Sequence, residues 1–188
     1  MRAFRVGSRT AKFLKGKAKL LLIDPDKVGI ENIGCQLYKS KDNGKSKVFA
    51  TSTKTGGIPL NKKLTAKNAN TLLKEASVIA DCTDNWTARK TIDDYCAKTG
   101  KKWVYAGAIR TYAMVSTISK PGSFTKWGGR KTKSESCHIV GISTKACGWA
   151  AKTQAREVEA LLKGRKPKLE GKIEFYDVKT KEKELIEV

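Results

Sequence analysis

Two clusters of polar residues follow short apolar runs in this sequence, at positions where a nucleotide could bind. Asp24 and Asp26 come directly after the run LLLI, and Asp84 and Asn85 follow the run VIA. In open α/β sheets, ligands lie at the carboxyl ends of the strands, where loops and helix N-termini hold phosphate and ribose. Asp24 is placed to bind ribose hydroxyls, and Asp84 is placed to hold Mg²⁺, which prefers carboxylate oxygen. The alternative is that both aspartates only cap the helices that follow, and for Asp24 the two interpretations weigh equally.

The elements that must position these residues alternate between apolar runs and helical patterns. This alternation is typical of an α/β fold with a largely parallel sheet covered by helices. Predicted strands lie at 19–23, 58–62, 78–82, 103–109 and 112–118, with a further candidate at 3–6. Predicted helices lie at 8–15, 45–55, 66–76, 87–99 and 143–162. A closing hairpin is predicted at 172–177 and 184–188, and the Gly-rich, basic segment 119–136 is predicted to be a mobile loop.

The charge balance indicates what the surface can attract. The chain has 39 Lys and Arg against 18 Asp and Glu, a formal net charge of +21. Clustered cations would favour a nucleic-acid partner, but these lie in ones and twos without a recognisable motif, which favours a lysine-coated surface instead. The sequence has no apolar run of the roughly 18 residues that a membrane span needs and no signal-peptide pattern, so we expect no membrane association and a cytoplasmic protein.

Cysteine and histidine usage limits the metal sites that the sequence predicts. The five cysteines include no C-x-x-C pair, so neither a disulfide framework nor a zinc site is expected. A single histidine, His138, excludes a site that needs two.

Several ordered motifs together resemble one protein family. They are LLIDPDKVGIENIGCQLY, then GKSKV, then IADCTDNWTARK, then GAIR. Their order and spacing resemble the ThiF/MoeB/HesA family, the ubiquitin-activating-enzyme-like adenylyltransferases. The similarity continues through HIVGISTKACGWAAKTQAREVEALLKG to the closing hairpin and covers about residues 7–188. It implies one Rossmann-like three-layer domain over 1–188, mostly parallel with C-terminal antiparallel strands, in which 119–136 is the crossover loop.

The resemblance also implies an activity. Members bind ATP and Mg²⁺, adenylate the C-terminal glycine of a small ubiquitin-like or sulfur-carrier protein, and are commonly homodimers. The in-line attack on the α-phosphorus needs mainly positioning and charge neutralisation. Carried over by motif, Asp24 binds ribose, Asp84 holds Mg²⁺, and Lys47 has a catalytic role against the phosphate charge. The further nucleotide-binding residues implied by the motifs are Asp26, Asn32, Gln36 and Asn85.

The sequence departs from the family at two places in the phosphate site. The family's arginine before Gln36 is replaced by Cys35, and the family's opening G-x-G-G-x-G turn is represented only by the segment 6–9. Three explanations stay open: a start codon placed too far downstream, an internal loss around Val6 and Gly7, or a protein that has given up catalysis. The second functional hypothesis is therefore a member that binds a carrier or partner protein without ATP chemistry.

Cys137 is the candidate nucleophile of the crossover region. Some relatives carry a cysteine there that forms a thioester or persulfide with the activated carrier, and the positive charge near Cys137 would favour a reactive thiolate. The alternative is an ordinary thiol at a helix entrance.

Overall fold

The computed structural model describes residues 4–120, 122, 124 and 141–187. The helices are α1 (Phe4–Leu14), α2 (Lys47–Thr55), α3 (Ala69–Leu73), α4 (Trp86–Thr99) and α5 (Thr144–Leu162). The strands are β1 (Leu21–Ile23), β2 (Ile58–Leu60), β3 (Ile79–Asp81), β4 (Trp103–Ile109), β5 (Tyr112–Ile118), β6 (Lys172–Asp177) and β7 (Lys183–Glu187). Two 3₁₀ turns, Ile30–Asn32 and Ser40–Asp42, lie between β1 and α2.

Most predicted elements are confirmed, with two corrections. Residues 4–6 are helical, so the candidate strand at 3–6 is wrong over its described part, and the helix predicted at 8–15 begins at Phe4. The helix predicted at 66–76 is shorter than expected, because α3 has only five residues. The predicted crossover loop 119–136 lies mostly outside the described residues, so its mobility stays a prediction.

The strands form two hydrogen-bonded sheets. One contains β1 and β2 in parallel, and the other has the order β3-β4-β5-β6-β7. In the second sheet β3 and β4 are parallel, and the remaining pairs are antiparallel. The predicted α/β class with antiparallel C-terminal strands is therefore confirmed, while the described strand pairs comprise two parallel and three antiparallel ones.

Helices cover both faces of the strands, which confirms the three-layer arrangement. Alternate residues of β4 point to opposite sides, since Val104 lies in a cluster with α1 and α5 whereas Trp103 lies in one with α3 and α4. Ile23 of β1 and Leu60 of β2 pack against the cluster with α3 and α4, and Leu20, just before β1, packs against the cluster with α1 and α5. Both sheets therefore share one core.

The ends of the helices are fixed by local hydrogen bonds. Asn85 caps α4 by accepting a bond from Ala88 N at 2.9 Å, and α4 ends at Gly100 with φ of 69°, a conformation that favours glycine. Ile92 and Cys96 on α4 are buried, as their helical spacing predicts. The cap at Asn85 fixes the start of α4 at the carboxyl end of β3, where the candidate site lies.

Gln154 on α5 ties four elements together. Its amide nitrogen donates to the carbonyl oxygens of Asp81 and Val104, at 2.7 and 2.9 Å. Its side-chain oxygen accepts from the Thr10 hydroxyl at 2.8 Å and from the Cys82 thiol at 3.1 Å. The Gln154 side chain is fully buried, and its partners Thr10, Asp81 and Val104 are buried as well. The end of β3 is thereby held against α1, α5 and β4.

Candidate active site

The core of the candidate site is an ion pair between Asp26 and Lys47. Lys47 begins α2, and its Nζ lies 3.0 Å from Asp26 Oδ2. The lysine side chain is only 2% exposed, while the aspartate is 21% exposed. A buried ammonium needs a charged partner, and this pair supplies one. In so basic a chain most lysines are expected on the surface, but Lys47 is buried.

Asp24 lies beside this pair and is itself buried. Its Oδ1 accepts a hydrogen bond from the Asp26 backbone N at 2.7 Å. Burial raises the pKa of Asp24 to about 6, and the charges of Asp26 and Asp84 act in the same direction. The Asp26 hydrogen bond and the nearby Lys47 oppose this rise. Asp84 is thus close enough to Asp24 for their charges to interact, although it comes from a different strand end.

Asn32 and Gln36 form the second part of the candidate site, on the segment between β1 and α2. Asn32 is fully buried, and its side-chain oxygen accepts from Gly29 N at 3.0 Å. The Asn32 amide nitrogen and both polar side-chain atoms of the buried Gln36 have no hydrogen-bond partner in the part of the chain that the structure describes. Buried polar groups are normally paired, so unpaired ones call for an explanation, such as a ligand.

Arg9 of α1 reaches the position where the sequence has Cys35. One guanidinium nitrogen donates to the Cys35 carbonyl oxygen at 3.1 Å. The Arg9 Nε is buried without a hydrogen-bond partner among the described residues. The structure therefore brings an arginine to the backbone of the position at which Cys35 replaces the family's arginine.

At the end of β3, the predicted residues have different surroundings. Asp84 is exposed, and the oxygen of Asn85 is used by the α4 cap described above. Asp81, to which sequence reasoning gave no role, is buried, and its Oδ2 lies 3.5 Å from Arg89 Nε. Burial raises the pKa of Asp81, while Arg89 opposes the rise. The sequence signal that identifies Asp81 as a candidate is its position as the last residue of an apolar strand.

The described residues contain no group of three or more His, Cys, Asp or Glu side chains that could hold a metal ion. A magnesium ion at this site would therefore need oxygens from a bound nucleotide as well as from the protein. The donor chemistry fits such a shared ion, because Mg²⁺ typically binds one or two carboxylates together with phosphates. A cation there would also offset the effect of the Asp84 charge, which is a minor contribution to the raised pKa of Asp24.

Gly7, expected just before the first helix, lies inside it. Residues 6–9 belong to α1, and Gly7 is buried. This segment therefore does not form the phosphate-binding turn that glycine-rich loops provide. The candidate nucleophile Cys137 lies outside the described residues, and the four described cysteines are free thiols.

Helices on both faces of the strands, with Asp24, Asp26 and Lys47 in contact after β1, define a Rossmann-like α/β domain. The chain belongs to the ThiF family, whose model matches residues 5–188. The named relatives are adenylyltransferases. The probable molybdopterin-synthase adenylyltransferase of Porphyra purpurea is 26% identical over 179 residues, covering 88% of this chain and 47% of the relative. The adenylyltransferase and sulfurtransferase MOCS3 of Sus scrofa is 26% identical over 188 residues, covering 92% of this chain and 41% of the relative.

Solved structures share the fold. Escherichia coli MccB, determined with ATP, has a TM-score of 0.79 at 17% identity, covering 97% of this chain and 61% of that one. PaaA has a TM-score of 0.75 at 20% identity, covering 97% and 61%. The chain spans less than half the length of the Porphyra purpurea and Sus scrofa relatives. No helix in the described part of the chain is long and apolar enough to cross a membrane.

Proposed function

We propose that this chain binds ATP beyond the carboxyl ends of β1 and β3 and adenylates the C-terminal glycine of a ubiquitin-like or sulfur-carrier protein. The observation that carries the proposal is the set of buried polar atoms on Asn32, Gln36 and Arg9 that have no partner among the described residues. Leaving such groups unpaired costs about 1–3 kcal/mol each. A polar, anionic ligand between them and Lys47 accounts for that arrangement.

In the proposed reaction, the carrier's terminal carboxylate attacks the α-phosphorus of ATP, an acyl-adenylate forms, and pyrophosphate leaves. Lys47, aligned by its ion pair with Asp26, offsets the negative charge on the phosphates. Asn32 and Gln36 donate neutral hydrogen bonds to phosphate oxygens, and Asp24 accepts them from the ribose. These roles are positional and electrostatic, which is what in-line displacement requires.

Asp84 is the residue proposed to hold Mg²⁺, with Asn85 beside it at the nucleotide. Asp84 is exposed, and its charge acts on Asp24. A cation bound there would lie between the negative charges of these carboxylates and those of the phosphate oxygens. When bound, such an ion neutralises the triphosphate and polarises its oxygens.

Arg9 is proposed to take the place of the arginine that Cys35 replaces. A guanidinium can bind a phosphate through two parallel hydrogen bonds, which a neutral thiol cannot do. The bond from Arg9 to the Cys35 carbonyl supports this substitution because it brings the guanidinium to the same segment of chain.

A second candidate function is a member that binds a carrier or partner protein without ATP chemistry. It is favoured by one specific observation, the helical conformation of residues 6–9. Without a glycine turn there, backbone amides do not form the cradle that holds phosphates in nucleotide folds.

Calorimetric titration of the purified chain with ATP and MgCl₂ tests the first proposal. Lys47→Met should abolish binding, whereas the matched control Lys45→Met should leave it unchanged, because Lys45 lies two residues away with its side chain 56% exposed. Circular dichroism establishes that each variant is folded.

Pyrophosphate exchange with a panel of carrier proteins that end in glycine then tests the chemistry. Exchange that needs both carrier and ATP supports adenylation. Carrier binding by a folded protein that binds no ATP would replace the first proposal by the second.

In the same assay, Cys137→Ala should retain exchange but form no thioester, if Cys137 takes the carrier from the adenylate as AMP leaves. We also propose that the chain forms a homodimer, as the family resemblance implies, and sedimentation of the wild type tests this.

A further inference from the structure

A second charged feature lies at the end of the five-stranded sheet that is opposite to Asp81. It is a cleft of about 370 Å³ whose lining includes Lys102, Arg165, Lys166 and Glu170. Lys102 precedes β4, and the segment 163–168 follows the end of α5. Because β3 and β4 are parallel, the start of β4 lies at the other end of the strands from Asp81. We refer to this feature as the basic cleft.

The cations of the basic cleft exceed its acids. Lys102 pairs with Glu170 at 2.8 Å, and the pKa of Glu170 is lowered mainly by this hydrogen bond, with Lys166 among the further causes. Arg165 makes no ion pair or side-chain hydrogen bond within the described residues, and the neighbouring Lys168 is also exposed and unpaired there. Of these, Lys102, Arg165 and Lys166 line the cleft against the single carboxylate of Glu170, so the cleft is positive.

These cations are not needed to complete the end of α5. The last carbonyl oxygens of the helix accept from backbone amides, with Gly164 N bonded to Leu161 O at 3.1 Å and Arg165 N to Ala160 O at 2.8 Å. Lysine and arginine side chains often satisfy such carbonyls, but here the backbone does so. The side chains therefore stay available for an external anion.

The segment that carries the cations is anchored to the core. Glu157, buried on α5, accepts hydrogen bonds from Lys168 N at 3.3 Å and from Leu169 N at 2.9 Å. The same carboxylate accepts from the Thr117 hydroxyl at 2.8 Å, and Pro167 is buried. A fixed backbone reduces the entropy lost when cations are ordered around a ligand.

We propose that the basic cleft anchors a sequence-independent binding surface for the phosphate backbone of nucleic acid. Arginine and lysine together suit phosphate, since the guanidinium binds it through two bonds and the ammonium adds a point charge. The residues that line the cleft include no aromatic ring on which a base could stack, so backbone contact dominates. The net charge of +21 favours a long polyanion over a compact acidic protein, because the gain from counterion release grows with each phosphate neutralised.

Fluorescence anisotropy with labelled 20-base-pair DNA and a 20-nucleotide RNA tests this proposal on the full chain. The variant is Arg165→Gln with Lys166→Gln. The matched control is Lys179→Gln with Lys181→Gln. It removes the same charge from exposed residues between β6 and β7, at the opposite end of the strands from the cleft. All four side chains are exposed, so neither variant should disturb folding.

The cleft variant should bind about tenfold more weakly at 100 mM salt, and its slope of log affinity against log salt should be shallower by about 2. The control should change affinity less than twofold. Equal weakening by both variants would mean diffuse surface charge and overturn the proposal, as would affinity near 10⁻⁴ M or weaker at physiological salt. Competition by polyglutamate as strong as by unlabelled DNA at equal charge would overturn it in favour of an acidic protein partner. ATP binding is not expected to change in either variant, so this outcome is independent of the adenylation proposal.

Discussion

Two buried glutamines should respond in opposite ways to the same substitution. Gln154 makes four hydrogen bonds in the core, whereas the side-chain amide of Gln36 makes none with the described residues. Both side chains are almost completely buried, at 0% and 5% exposure. Leucine has a similar volume and no polar atom, so Gln→Leu removes the polar interactions with little change in packing.

The expected magnitudes follow from the hydrogen bonds. At about 1 kcal/mol for each bond, Gln154→Leu should lower the free energy of unfolding by about 4 kcal/mol. For a chain of this length that corresponds to a melting temperature lower by about 8–16 °C. Gln36→Leu should instead raise the free energy of unfolding by about 1–2 kcal/mol, since it removes a buried amide that has no partner. The amide is then retained for ligand binding at the expense of stability.

Urea unfolding followed by circular dichroism measures both changes, and calorimetric titration with ATP and MgCl₂ measures the second consequence. Gln36→Leu should be the more stable protein and the weaker ATP binder. The reasoning is refuted if Gln36→Leu destabilises the fold as much as Gln154→Leu does. A stabilised Gln36→Leu that binds ATP like the wild type would keep the structural argument and remove Gln36 from the proposed site.

Three further predictions concern charge and thiol burial. Asp26→Asn leaves the Lys47 ammonium buried without its partner and should lower the free energy of unfolding by about 3 kcal/mol. The control Asp94→Asn breaks an exposed ion pair and should cost no more than about 0.5 kcal/mol, so equal losses in urea unfolding would contradict this. Because the pKa of Asp24 is raised from 3.8 to about 6, Asp24 binds its proton more tightly in the folded state, so its contribution to stability falls as the pH rises from about 4 to 6. Asp24→Asn should therefore gain about 2–3 kcal/mol relative to the wild type between pH 4 and pH 7, and a difference independent of pH would rule this out. Burial raises the pKa of Cys82 to about 12, so mass spectrometry after iodoacetamide treatment at pH 8 should find Cys82 unmodified in the native protein and modified in urea.

The sequence determined the local elements and their order. The apolar runs at 103–109 and 112–118 predicted two strands whose bounds the structure reproduces, and the periodicity of Ile92, Tyr95 and Cys96 predicted the buried face of α4. These signals are strong because the hydrophobic pattern of a helix or a strand is visible within a few neighbouring residues. The ordered motifs likewise predicted the ThiF family, to which the chain belongs.

Some features of the fold were decided only by tertiary structure. Residues 4–6 read locally as a strand but belong to α1, because Val6 packs in the cluster with α5. The separation of β1 and β2 from the other strands was also not predictable, since strand pairing joins residues far apart in the chain.

The site shows the same division. The sequence identified Asp24, Asp26 and Lys47 as candidates from their positions after apolar runs and within motifs, but a basic chain gave no reason to expect one lysine to be buried. Only the packed structure pairs Lys47 with Asp26 and brings Arg9 to Cys35 across 26 residues. Charge interactions depend on distance and burial, which sequence spacing does not fix between separate elements.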